Sequence, residues 1–203
     1  LATVNAALAG LQYTPPVATG DFTATMTTSD GGATGAGGTQ TDTDTITLRV
    51  RQRPVVTPTA GPVVFTENDA ALAVDPTLTL SDPDSTSLVS AVVRVSAGFA
   101  PAEDVLGFDA LVLPPTVTAD TSVAGQITFT GTATLAEYEA LLQSVTYQNT
   151  SDDPSAATRT FEFTVADDPT ALASLPQTRD VLVVPVNDAP TVTALVAVSN
   201  TLE

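Results

Sequence analysis

Lysine, histidine, cysteine and tryptophan are all absent from the 203 residues. Without cysteine there is no disulfide framework and no thiolate metal ligand. Without histidine or cysteine the common nucleophile–base pairs of enzymes are missing. Positive charge is scarce: six arginines face 23 acidic residues, for a net charge of −17. A nucleic-acid backbone or an anionic membrane surface recruits positive charge, so neither is an expected partner. Aromatic residues make up only 5% of the chain. Paired carboxylates can hydrolyse glycosides, but a cleft lined with stacking aromatics is not in view, and no enzymatic activity is expected. The longest strongly apolar run, Val181–Val186, is strand-sized. It falls far short of the roughly 20 residues of a membrane span. No charged-then-apolar leader opens at Leu1. Such acidity suits a cation-binding surface or high solubility.

What the chain does contain is a repeat. Pro54–Glu67 (PVVTPTAGPVVFTE) corresponds to Pro190–Glu203 (PTVTALVAVSNTLE) at a spacing of 136. Leu1–Tyr13 corresponds to Leu135–Tyr147 at 134, and Met26 and Asp30 to Phe163 and Asp167 at 137. Small drift in spacing is what loop insertions produce. A fixed period implies an array of similar units, and arrays serve as spacers or adhesive surfaces. The reading is the second half of one unit over 1–53, a complete unit over 54–188, and the first strand of a third over 189–203.

Within the units the pattern is mostly strand. In Asp42–Val50, Ile46, Leu48 and Val50 alternate with Thr45, Thr47 and Arg49, which predicts a half-buried strand. Phe161–Val165 alternates likewise. Further strands are expected at Val63–Thr66, Thr77–Leu80, Leu88–Ser96, Val105–Leu113, Gln126–Gly131, Val145–Asn149 and Thr178–Val186. Many short strands rich in threonine and valine, punctuated by glycine, proline and aspartate, indicate a β-sandwich. One segment departs from this. Thr134 and Glu137 form a capping box, and Leu135, Tyr138, Leu142 and Val145 follow at helical spacing, which predicts a short helix over about 135–143. Tyr13 and Tyr147 are expected to pack over the core edge.

Four acidic clusters fall at strand ends: Asp82-Pro83-Asp84; Asp167-Asp168, with Asp30 as its repeat partner; Asn187-Asp188; and Glu67, with Glu203 as its partner. Carboxylates two residues apart can turn to one point, and a hard cation such as calcium takes six to eight oxygens. Asp, Asn and Pro also simply make turns.

The runs Phe65–Asp84 (FTENDAALAVDPTLTLSDPD), Asn149–Asp168 and Val184–Pro190 (VPVNDAP) resemble bacterial cadherin-like tandem repeats of large secreted surface adhesins. The resemblance implies an all-β architecture of immunoglobulin/cadherin-like sandwich repeats of about 136 residues, each with one short helix. It implies an extracellular location and calcium at the junctions between units. On its motifs, Asp82, Asp84 and Asp167 would sit at one end of the complete unit. Glu67, Asn187 and Asp188 would sit at the other, with further ligands from the third unit.

Where the lower junction has Asn187-Asp188-Ala189-Pro190, the upper one has Arg51-Gln52-Arg53-Pro54. Calcium bridging is not expected there; Arg51 or Arg53 is expected to pair with Asp82, Asp84 or Asp167 instead. The partners implied are neighbouring repeats, and beyond them other copies or a surface receptor or glycan. Two alternatives stay open. One is a filament or surface-layer segment completed by strand addition. The other is a calcium-dependent carbohydrate-binding module, which the scarcity of aromatics disfavours.

Overall fold

The computed structural model describes residues 8–14, 19–32, 37–167 and 173–190. Of the expected features, residues 1–7 of the Leu1–Tyr13 element, Asp168, and the third-unit strand from 191 through Glu203 lie outside these residues.

Two bodies of sheet are present. Strands β1 (Gly20–Ser29) and β2 (Thr41–Val50) form an antiparallel ribbon of two. The rest is an all-β sandwich. Its larger sheet has the order β4 (Val63–Thr66), β13 (Gln177–Val184), β12 (Arg159–Ala166), β7 (Ser87–Ala97), β10 (Gln126–Thr134) and β9 (Thr118–Asp120). Facing it are a sheet of β5 (Leu72–Ala73), β11 (Thr146–Asn149) and β8 (Asp104–Gly107), and a pair of β3 (Val55–Thr57) with β6 (Thr79–Ser81). The β4–β13 pairing is parallel and the others are antiparallel.

Alternation builds the core. In β12, Arg159, Phe161, Phe163 and Val165 point inward. Tyr147 of the smaller sheet meets Phe65 at 5.3 Å and Phe161 at 5.8 Å between ring centres, both edge-to-face, and so ties the two layers together. Helix α1 (Leu135–Gln143) starts at the expected capping box: the Glu137 N–H donates to Thr134 Oγ1 at 3.2 Å, and the Thr134 N–H to Glu137 Oε2 at 2.8 Å. It buries Tyr138, Leu141 and Leu142. On the side toward β6, Glu139 accepts the Leu80 N–H at 2.8 Å and Gln143 donates to the Leu78 carbonyl at 2.7 Å. The helix therefore fixes the strand that leads into Asp82. Before the helix, β10 bulges between Thr130 and Ala133. Gly131 sits there at φ 138°, where a Cβ would stand 2.0 Å from the Thr116 carbonyl, so only glycine fits.

Three expectations need correction. The Val105–Leu113 strand stops at Gly107; Ala110–Val112 is a 3₁₀ turn, because Asp109 offers its carboxylate to the Leu111 N–H at 2.8 Å. Strand β2 is not half-buried: Ile46 is 61% exposed, since no second layer faces the ribbon among the described residues. Tyr147 lies in the middle of the core with no exposed surface, whereas Tyr13 is 48% exposed.

A buried ionic network closes one end of the core. Arg159 Nε donates to both Asp104 oxygens, at 3.2 and 3.0 Å. Tyr147 Oη and Asn149 Nδ2 both donate to Asp104 Oδ1, at 2.7 and 2.9 Å. Burial pushes the Asp104 carboxyl up, but the bonds from Arg159, Ala100 and Tyr147 outweigh it and hold the group below its usual range. Because that pKa is lowered, the contribution to stability is present above the unfolded value near 3.8 and is lost as pH falls through the folded one. Removing one partner strands the other charge. Asp104→Ala should therefore cost about 3–5 kcal/mol in urea unfolding at pH 7, with the difference from the parent shrinking in acid.

Candidate metal centres at the two poles

The register places the acidic clusters at opposite ends of the sandwich. Strand β12 runs against β13, so Asp167, after β12, and the β6–β7 loop share the upper pole. The end of β4, the end of β13 and the loop after β11 share the lower one.

At the lower pole, β4 ends at Thr66 and Asn68 turns the chain in the left-handed region, φ 69°, a conformation asparagine tolerates. This leaves Glu67 beside the exit of β13. Its N–H donates to the Val184 carbonyl at 2.9 Å. Its Oε2 accepts the Val186 N–H at 2.7 Å. The side chain continues the β4–β13 ladder where the backbones part. Its other oxygen, Oε1, is buried with no hydrogen-bond partner among the described residues. Glu67 is only 4% exposed. Glu67, Asp152 and Asp188 bring one carboxylate oxygen each to within 4.8 Å of one another.

Asp152 was not singled out from the sequence. It lies in the β11–β12 loop, held by the buried network from beneath: Asn149 Oδ1 accepts the Ser151 N–H at 2.9 Å, and Arg159 Nη1 donates to the Ser155 and Ala157 carbonyls, each at 2.6 Å. The signal was there in Ser151-Asp152-Asp153-Pro154, an acidic, proline-closed loop like Asp82-Pro83-Asp84. Asn187, by contrast, is exposed, and its amide donates to the Asp188 carbonyl at 3.2 Å. The structure does not bring it into the cluster of three carboxylates.

The upper pole repeats the arrangement of one oxygen used and one left over. Asp82 Oδ1 accepts the N–H groups of Asp84 and Ser85, both at 3.0 Å. Asp84 Oδ1 accepts the Gln52 N–H at 3.1 Å. The second oxygens of both, and Asp167 Oδ1, are buried without a hydrogen bond among the described residues. Burial raises the Asp82 carboxyl above its ordinary value, against the two backbone bonds that lower it, and the neighbouring Asp167 and Asp84 raise it further. Asp30, the repeat partner of Asp167, does otherwise: Gly32 and Gln40 both donate to its Oδ1, at 2.8 and 2.9 Å, and hold its pKa low. It is a turn-maker.

No family model matches the chain and no solved structure matches it. The chain is 32% identical over 96 residues to Halomucin of Haloquadratum walsbyi, an alignment that takes in 46% of this chain and spans 1% of that protein. No helix among the described residues is long and apolar enough to cross a membrane.

A raised carboxylate pKa means the fold disfavours the ionised form. The penalty is absent below the ordinary value of 3.8 and grows as pH rises from there through the folded value. Asp82→Asn keeps the Oδ1 acceptor and removes the charge. In chelator at pH 7 it should stabilise the fold by roughly 1 kcal/mol, and the gain should vanish toward pH 4. Thermal melts across pH test this.

Proposed function

We propose that the chain is a structural repeat module of a large extracellular surface protein, non-enzymatic, whose unit junctions are stiffened by calcium. The observation that carries this reading is Glu67: a buried carboxylate with one oxygen unpartnered, placed within reach of Asp152 and Asp188 at the point where the chain leaves the sandwich. An isolated buried carboxylate is costly, and a bound cation supplies the missing partner. Asp152 and Asp188 sit on exposed loops. Irregular loop carboxylates suit the six to eight flexible oxygens of calcium better than the strict octahedron of magnesium. The similarity to a stretch of Halomucin, a large halophilic surface protein, supports a surface location. Adhesion to a receptor, a glycan or other copies is part of the reading at the level of the whole protein.

The mechanism is electrostatic. Neighbouring carboxylates repel by about 1–4 kcal/mol per pair at surface dielectric. Without a divalent ion, Asp188 is pushed from Glu67 and the linker swings. With one, repulsion turns to attraction and the following segment is held against the pole. Extracellular modules of this class bind at roughly 10⁻⁴–10⁻³ M, which keeps an array loose in a low-calcium cytosol and stiff outside.

Thermal melting in EDTA, then in millimolar calcium, with magnesium and with sodium chloride at matched ionic strength, tests the reading. Calcium should raise the melting temperature by several degrees beyond both controls, and Glu67→Gln should abolish that gain. Equal shifts with calcium and sodium chloride would mean that screening of the −17 charge is the whole effect.

A further inference from the structure

The two ends of the complete unit differ in the linker that meets them. Arg51, Gln52 and Arg53 separate β2 from Pro54, while Pro185–Ala189 separate β13 from Pro190. At the repeat spacing, Arg51 and Gln52 stand where Asn187 and Asp188 stand. Arg51 Nη2 donates to Asp21 Oδ1 of the ribbon at 2.8 Å, and its Nε lies 4.0 Å from Asp84 Oδ2, the buried oxygen that no hydrogen bond reaches. The next residue donates its N–H to the other Asp84 oxygen. Arg53 Nη1 donates to the Ala173 carbonyl at 2.6 Å. Three consecutive residues are therefore tied to the upper pole, one of them also to the ribbon: Arg51 and Arg53 through guanidinium groups that carry their own positive charge, and Gln52 through its backbone N–H. At the lower pole the linker is longer, it brings a carboxylate instead of a guanidinium, and among the described residues its tie to the sandwich is the Val186 bond to Glu67.

We infer that the chain holds two joints of opposite kind: a fixed upper joint in which Arg51 is the built-in counter-ion, and a lower joint that closes only when a cation is supplied. This builds on the reading that unpaired polar carboxylates at the poles are neutralised by positive charge. It adds that the residues at positions 51 and 52 decide whether a joint is constitutive or cation-dependent. An array with both kinds bends at chosen places when calcium falls, rather than everywhere.

The native chain has no cysteine, so Thr45→Cys in the ribbon and Thr130→Cys in β10, both exposed positions, take spin labels at those sites alone. Pulsed electron–electron distance measurements in EDTA should give a narrow distribution for the parent and a clearly broadened one for Arg51→Ala, with melting temperature and circular dichroism showing the sandwich intact. Arg51→Gln serves if the alanine variant fails to fold. The double change Arg51→Asn with Gln52→Asp should be broad in EDTA and narrow again in millimolar calcium. A broad parent distribution in EDTA overturns the inference. So does a narrow one in any of these variants in EDTA. Because the EDTA arms involve no calcium, failure of calcium binding at Glu67 leaves them unaffected, and the two readings fail separately.

Discussion

A carboxylate taken out of water has to find positive charge, and in this molecule the fold takes several of them out of water at once. Glu67, Asp82, Asp84 and Asp167 each keep an oxygen that is buried and accepts nothing among the described residues. For three of them the companion oxygen is committed to a backbone N–H. Those backbone bonds fix each carboxylate in place, so it cannot rotate outward to be solvated. With no lysine in the chain and only six arginines, positive charge comes from few sources.

The sandwich is organised to hold these groups at its two ends. The edge-to-face contacts of Tyr147 with Phe65 and Phe161 lock the layers and thereby the ends of β4 and β12. The buried Arg159 spends one guanidinium face on Asp104 and another on the loop that carries Asp152, joining the core to the lower pole. Helix α1 does the corresponding work above, gripping the Leu78–Leu80 backbone just before Asp82. Arginine serves both structural and polar roles here because its planar fork reaches a carboxylate and carbonyls together.

Much of this was readable from the chain. The capping box at Thr134–Glu137 and the alternation of Phe161–Val165 announce their elements through local periodicity, and the structure has both. The loop positions of Asp82, Asp84, Asp167, Asp188 and Glu67 also followed from strand ends. Strand β1 was not read from the sequence, although it is ten residues long; strands β3, β5 and β9 escaped because two or three residues carry no period. The burial of Tyr147 and the role of Asp152 escaped for a different reason: both depend on Asp104 and Arg159, 55 residues apart, meeting inside the core. Periodicity reports faces, and it is silent on which polar residues pair across them. The exposed ribbon shows the converse. Its Ile46 and Leu48 alternate as if for a core, yet alternation alone does not supply the opposing layer.

The central claim is that the lower pole takes up a divalent cation, which satisfies the buried oxygen of Glu67. Equilibrium dialysis of the chelator-treated chain against radioactive calcium, at ionic strength held constant with sodium chloride, measures this directly. The account predicts saturable uptake of at least one ion per chain with half-saturation at roughly 10⁻⁴–10⁻³ M, lost in Glu67→Gln. Uptake that rises without saturating and is indifferent to Glu67 would contradict it, and would make the acidic loops turns on a highly charged spacer.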